Sequence, residues 1–271
     1  SESRDFAKVV SGGQMINGFA PDMTRLTRLL GPAHARQLWD LSLAATQIVS
    51  DRINRHAIDA EYRPGYVLAA ARARHLPGLA AELECISRFG YAQARLLDRA
   101  GVSALVASER FVGGLADMGS GHLHPLKYVR GLAGAAVAAG VRIFERSGAG
   151  RILPASETGP AAAFTDRGVV RARHLVLCCN AYIGNLQRQI RARIMPVGTY
   201  IIATEPLAEA RASAMLPTDA CVSDTNFVLD YFRLSMDRRM LFGGRVSYTT
   251  LPPPRLIEGM RQRMLATFPE L

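Results

Sequence analysis

From Met23 to His56 the apolar positions recur three, four and seven residues apart, the spacing of one helix face, with a break at Gly31-Pro32. Leu38, Leu41, Ala45, Ile48, Val49 and Ile53 make up the predicted buried stripe, and Trp39 beside it reads as core. A second helix is predicted over Leu76–Gly90, with Leu79, Leu83 and Ile86 turned inward. A third runs over Tyr91–Ala100 and stops at Gly101. Pro125 stands where proline is favoured, at the first position of a helix continuing through Leu126–Ala139. Glu209–Leu216 and Arg255–Phe268 complete the helices, the last one following the break at Pro252-Pro253-Pro254.

Strand patterns are of two kinds. Tyr62–Ala70 alternates loosely around Pro64-Gly65, and Phe227–Ser235 and Met240–Ser247 flank a turn at Asp237-Arg238, which predicts an antiparallel hairpin. Val197–Thr204 is a further β-rich run between Pro196 and Glu205-Pro206. His174–Cys179, by contrast, is apolar without alternation, as in a strand buried on both faces of a parallel sheet. Asn180, Ala181, Tyr182 and Gly184 end it, where an open α/β sheet places its ligand. Leu105–Gly114 reads as a strand, Gly119-Ser120-Gly121 as a loop, and Val141–Glu145 as a strand after the Leu126–Ala139 helix, together a βαβ crossover. Arg151–Leu153 is a short strand and Ala161–Val170 a hairpin about Asp166-Arg167-Gly168. Ser1–Val10 is charged and patternless. The expected fold class is α/β with an α+β part.

At 271 residues and 49% hydrophobic, the chain can bury a sizeable core as one large or two closely packed domains. No run of 18 apolar residues and no charged-then-apolar start occurs, so neither a membrane span nor a signal peptide is expected, and the expected setting is cytoplasmic. Cys85, Cys178, Cys179 and Cys221 lack zinc or disulfide spacing, so no metal site is expected; Cys178 and Cys179 read as small core residues. The +10 charge comes almost wholly from arginines spread along the chain without interleaved aromatics, which argues against a nucleic-acid platform. Attraction for acidic small molecules is its corollary.

No GxSxG, HExxH, Walker loop or paired CxxC is present. Gly119-Ser120-Gly121 before a helix is either a phosphate cradle or a tight turn. His122 and His124 straddle Leu123, so in extended chain both point to one side, as proton acceptors or as structural residues; His124 equally suits a helix cap. Tyr231 and Arg233, two apart, share a strand face, and Arg245 lies on the paired strand. An aromatic wall beside a guanidinium suits a substrate with an apolar chain and a carboxylate; a solvated sheet face fits the same pattern.

Four stretches carry a family resemblance: SGGQMINGF (Ser11–Phe19), GSGHLHPLKYVRGLA (Gly119–Ala133), CCNAYIG with MPVGTYIIATEPL (Cys178–Gly184 and Met195–Leu207), and YFRLSMDRRMLFGGR (Tyr231–Arg245). In this order they resemble the amine-oxidising flavoproteins of the D-amino-acid oxidase superfamily, and within it the gamma-glutamylputrescine oxidoreductases. The resemblance implies FAD as cofactor, with Ser11, Gly12, Gly13 and Gln14 beside the flavin and Asn180, Ala181 and Tyr182 along the same groove. It implies a substrate roof from the Tyr231, Arg233 and Arg245 strands, and oxidation of a small-molecule amine at its C–N bond. The implied architecture is a nucleotide domain of the FAD/NAD(P)-binding type (1–60 and 101–194) plus a mixed or antiparallel-sheet substrate domain (61–100 and 195–271). The family's opening strand with GxGxxG, and its closing strand with a glycine-rich loop, are not found here, so the expectation is the interior of a flavoenzyme. A non-catalytic remnant or interaction domain that binds no FAD is the alternative. An NAD-dependent dehydrogenase fits less well, because no acidic residue follows a βαβ unit at the usual distance. No partner beyond the small molecule is expected, neither nucleic acid nor membrane, and nothing in the sequence speaks to oligomeric state.

Overall fold

The computed structural model describes residues 11–157, 159–248 and 252–271, so the reading of Ser1–Val10 lies outside the described residues. Two compact units emerge. One comprises residues up to Ala136, Thr199–Arg245 and Pro253–Leu271; the other comprises Val137–Gly198 and Val246–Pro252.

In chain order the larger unit holds β1 (Gln14–Met15), α1 (Met23–Leu30), α2 (Pro32–Arg55), β2 (Arg63–Ala70), α3 (Leu76–Arg88), β3 (Ala94–Leu97), α4 (Arg99–Ser103), β4 (Gly113–His122) and most of α5 (Pro125–Ala138). The second unit holds β5 (Arg151–Leu153), β6 (Ala161–Thr165), β7 (Gly168–Ala172) and α6 (Arg188–Arg191). There follow β8 (Gly198–Ala203), α7 (Glu209–Met215), β9 (Cys221–Asp224), β10 (Tyr231–Leu234), β11 (Met240–Ser247) and α8 (Leu256–Thr267).

A mixed sheet in the order β1-β4-β2-β9-β10-β11-β8, with β3 also on β4, organises the larger unit. Its β2–β9 pair is parallel, and β4 pairs antiparallel with β1, β2 and β3. Alternation gives this sheet two faces with different work. Val67, Ala69, Ala116, Val222, Phe232 and Phe242 point to one side, where Met215, Met264 and Phe268 of the following helices close over them. Phe232 stacks on Phe242 at 5.6 Å and meets Phe268 edge-on at 5.2 Å. Tyr66, Leu68, Ser223, Tyr231 and Arg233 have the opposite parity and face the other side.

Helix starts follow local chemistry. Asp22 caps α1 by accepting from Arg25 N, and Glu82 of α3 takes the Met23 and Thr24 N–H groups at 2.9 and 3.0 Å. Asp98 caps α4 through Gly101 N. The second unit is a three-stranded antiparallel sheet, β5-β6-β7, whose β6–β7 hairpin turns at Asp166-Arg167 as predicted.

Several readings need correction. Tyr91–Ala100 is not a helix: Gly90, with φ +82°, ends α3, and Ala94–Leu97 gains a backbone ladder on β4 instead. The strand placed at Leu105–Gly114 is β4, eight residues later, so Gly119-Ser120-Gly121 lies inside a strand and cradles no phosphate. A Cβ on Gly121 would collide with the Arg63 carbonyl oxygen, so close strand approach explains that glycine. Val141–Glu145 forms no strand, and the βαβ crossover is absent among the described residues. His174–Cys179 forms no strand either: Val176 is 78% exposed and Cys178 is exposed, not core. An apolar run becomes a strand only where a neighbour takes its N–H and C=O groups, and no described strand pairs with it. On α2 Ala35, Trp39 and Ser42 are buried and Val49 and Ile53 of the predicted stripe pack partly buried against the Ile58 and Leu123 cluster, while Leu41 and Ile48 are exposed. β9 was not foreseen. The expected nucleotide and substrate parts also share a sheet, since β1 and β4 pair with β2.

Behind the core face, Asp224 and Asp230 are fully buried. Arg110 lies 3.1 and 2.9 Å from their carboxylates, and Arg263 Nε donates to Asp230 Oδ1 at 2.7 Å. Removing one member of such a cluster strands the others' charge. Asp230→Ala is expected to lower unfolding free energy by about 3 kcal/mol, read from urea denaturation with the m-value unchanged. A loss under about 0.5 kcal/mol, the range of an ordinary surface change, would show the cluster to be incidental.

Candidate functional site

On the face opposite the core, Ser11–Ala20 crosses the sheet and closes a cavity of about 530 Å³. Ser11, Gly12, Gln14 and Ile16–Ala20 form one side; Tyr66, Leu68, Ser223, Leu229 and Tyr231 form the other. None of these lining residues carries a charge.

The turn at Gly12-Gly13 is held by Arg233. Its Nε donates to the Gly12 carbonyl at 2.7 Å and its Nη1 to the Leu234 carbonyl at 3.0 Å, and the residue is 6% exposed. Burial lowers the Arg233 pKa, opposed by the nearby Cys221, Asp219 and Glu61 side chains. Two of the three guanidinium nitrogens thus bond backbone carbonyls, and Arg233 is not among the residues that line the cavity. Gly13 has φ +78°, and a Cβ there would run into the Leu123 carbonyl oxygen, so the turn admits only glycine. Gly12 and Gly243 leave room for the Tyr231 ring, which each Cβ would otherwise strike. Tyr231 is hydrogen-bonded to Thr199, and burial raises its pKa, so it stays a neutral phenol.

Gln14 is locked at both ends of its amide. Nε2 donates to the Val222 carbonyl at 2.9 Å, and Oε1 accepts from the Ser223 hydroxyl at 3.1 Å. Tyr66 is hydrogen-bonded to the same serine, and burial pushes its pKa well above the usual phenol value. Ser11 Oγ accepts from Gly13 N at 3.2 Å, which leaves its own hydrogen to donate.

The two histidines do not face the cavity. His122, 2% exposed, sits at the end of β4 with Nε2 bonded to the Asp219 carbonyl at 2.7 Å. Burial pushes its pKa down to about 4, with the Arg233 and Arg63 charges adding to that and the Asp219 bond opposing it. His124 Nδ1 accepts from Lys127 N at 3.4 Å, a helix-capping position on α5. Arg245 has φ +60°, which breaks the strand alternation, and its guanidinium rests over Gly259 of α8 instead of beside Tyr231. Asn180, Ala181 and Tyr182 form a 3-10 turn in the second unit, where Ala181 lines a separate cavity with Asn185 and Arg191 and Tyr182 is 70% exposed.

Of the sequence candidates, then, Ser11, Gly12, Gln14 and Tyr231 converge on one cavity, with Gly13 and Arg233 supporting it. Sequence reasoning missed Tyr66, Ser223 and the Ile16–Ala20 wall. The parity of Tyr66 against Val67 was a usable signal; Ser223 had none, because β9 was not recognised.

The arrangement fits a flat ring with polar edges: an uncharged, half-apolar cavity, glycine at its rim and a free Ser11 hydroxyl. Comparison with known proteins gives the family. The family model described as DAO, FAD dependent oxidoreductase, matches residues 7–271. The chain is 36% identical over 262 residues to gamma-glutamylputrescine oxidoreductase of Escherichia coli, covering 96% of this chain and 61% of that one. It is 37% identical over 266 residues to the probable oxidoreductase OrdL of Haemophilus influenzae, covering 96% and 60%. The chain thus spans about six-tenths of the length of these curated relatives. Among solved structures, glycine oxidase from Geobacillus kaustophilus superposes with TM-score 0.67 at 17% identity, over 86% of this chain and 63% of that one. L-alpha-glycerophosphate oxidase from Mycoplasma pneumoniae, with FAD bound, gives 0.64 at 14%, over 96% and 68%. At these identities the superpositions show the fold.

His122 yields a pH prediction. Its folded pKa of about 4 lies below the ordinary 6.5, so between these values the unfolded chain binds more protons. The stabilisation is complete above pH 6.5 and is lost as pH falls toward 4, by up to about 3 kcal/mol. In His122→Gln this slope should disappear, as measured by urea midpoints across pH 4 to 7. Parallel curves for the two proteins would refute the assignment.

Proposed function

Because the chain belongs to the DAO family of FAD-dependent oxidoreductases, we propose that its cavity binds an amine for oxidation at the C–N bond. The observation that carries this reading is the convergence of Ser11, Gly12 and Gln14, proposed to hold the ring side of FAD, with Tyr231 and Tyr66, proposed to flank the substrate, on one uncharged cavity. Asn180, Ala181 and Tyr182 keep a proposed cofactor role on the resemblance of the CCNAYIG run alone.

FAD, when bound, supplies acceptance of a hydride equivalent; the resulting imine hydrolyses to an aldehyde or keto product and ammonia or amine. This chain's residues bind and orient. An amine donates hydride only as the free base, and a cavity without charged lining residues penalises the ammonium form by desolvation. The Tyr66 and Tyr231 rings bound the space for the carbon chain, and both remain protonated, so neither adds negative charge that would hold the ammonium. No histidine is needed as base. His122 and His124 are assigned to packing and helix capping, and Arg233 to holding the Gly12-Gly13 turn, in place of the catalytic and carboxylate-binding roles expected of them. Arg245 likewise has no substrate role in this reading.

A substrate of the gamma-glutamylated diamine type is the finer part of the reading, supported by the 36% identity to gamma-glutamylputrescine oxidoreductase. A cytoplasmic setting belongs to it as well. The four free cysteines suit a reducing compartment, and among the described residues no helix is long and apolar enough to cross a membrane.

The test is anaerobic mixing of the FAD-loaded protein with a panel of amines, amino acids and hydroxy acids while the flavin absorbance is followed. Amines should bleach it, faster as pH rises toward the amine pKa. Bleaching by hydroxy acids alone would overturn the proposal. Tyr231→Ala, which removes one wall, should raise KM for the best amine by about tenfold with a smaller change in kcat, the signature of lost substrate binding.

A further inference from the structure

The Ile16–Ala20 segment, with Tyr66 and Leu68, borders both the 530 Å³ cavity and a second one of about 220 Å³, which is also lined by Trp39, Leu115 and Asp117. All five residues of the segment line both cavities. They lie between β1 and α1 and belong to neither, so no ladder or helix holds them in place.

What does hold them is Asn17. Its backbone N–H donates to Ser120 Oγ at 2.9 Å, its Nδ2 donates to the Tyr91 hydroxyl at 3.0 Å, and its Oδ1 accepts from the Thr46 hydroxyl at 2.7 Å. The hydroxyls of Tyr91 and Ser120 each carry one hydrogen, and both hydrogens are directed elsewhere: Tyr91 donates to Asp117 Oδ1, and Ser120 donates to Oδ2 at 2.5 Å. Each hydroxyl can therefore meet Asn17 only as an acceptor. Gly119 N adds a third donor to the buried Asp117 at 2.9 Å, which fixes the carboxylate itself. Burial and the adjoining carboxylate keep the Tyr91 phenol protonated.

We propose that Asp117, acting through Tyr91 and Ser120, latches Asn17 and so keeps the two cavities apart, which sets the size of amine the site admits. The size argument rests on the reading of the larger cavity as the amine site. With the latch broken, the wall has no other hydrogen-bonded register, the small cavity joins the large one, and bulkier amines enter. Asn17 and Asp117 are positioning residues: neither is assigned a part in the chemistry.

Trp39, the single tryptophan of the sequence, lines the small cavity and is 3% exposed, so its fluorescence reports whether the wall opens. In the 271-residue chain, Asn17→Ala is expected to raise acrylamide quenching of Trp39 several-fold while thermal unfolding stays cooperative. Thr46→Ala, which removes one of the three bonds, should give a smaller rise and serves if Asn17→Ala does not fold. Unchanged quenching in the folded variants would overturn the latch. In the FAD-loaded protein, Asn17→Ala should shift the kcat/KM ratio of a benzylic over a short alkyl amine by on the order of tenfold toward the larger one. A lowered Tm with an unchanged ratio would mean the cluster only stabilises the fold, and would overturn the size role. A wild-type protein that oxidises no amine would remove the functional reading, while the quenching comparison would still decide the latch.

Discussion

The cavity face depends on a buried guanidinium that has only carbonyl oxygens to receive it. Taking Arg233 out of water is costly unless its N–H groups are bonded, and the Gly12 and Leu234 carbonyls accept from Nε and Nη1. That requirement draws Ser11–Gln14 across the sheet edge and fixes the Gly12-Gly13 turn, with Gly13 in a backbone region other residues avoid. Gln14 then reaches the β9 backbone, and its amide oxygen accepts from Ser223, to which Tyr66 is also hydrogen-bonded. An arginine read from the sequence as a substrate anchor bonds the backbone of the cavity's own rim.

The sheet's division of labour makes this affordable in space. Phe232 and Phe242 send their rings to the core side, so Tyr231 and Arg233, one residue away, must face the other side. The same alternation sets Tyr66 opposite Val67 and Ser223 opposite Val222. Core packing and the candidate site are therefore two readings of the same few strands, and a register slip of one residue would exchange them. Arg245 marks the limit of that rule, since its left-handed backbone turns it from the strand pattern toward α8.

Membership of the FAD-dependent oxidoreductase family and the uncharged lining of the cavity point to the same division between protein and cofactor. In the reading proposed above, a cavity that disfavours charge would favour the free amine without a dedicated base; His122 is bonded to a carbonyl and His124 sits at a helix end. Asn17 lies in the wall of that cavity, and the Tyr91 and Ser120 hydroxyls that bond it are themselves bonded to the buried Asp117.

Local pattern by itself determined a good deal of this protein. The helices at Met23–Leu30, Pro32–Arg55 and Leu76–Arg88, the bent strand at Arg63–Ala70 and the late hairpin were legible, because periodicity, caps and turn residues act over a few positions. The family was legible from the resemblance of four stretches of sequence. Ser11, Gly12 and Gln14, named on the family resemblance, and Tyr231, named on strand parity, do line one cavity. Tertiary structure decided the rest. Ala94–Leu97 and Gly113–His122 are strands because each finds a partner, and His174–Cys179, with a stronger β pattern than either, is not one because no described strand lies beside it. The roles of Arg233, His122 and Asp117 were decided the same way: a side chain's type states which bonds it can make, and only the fold states which partners are within reach.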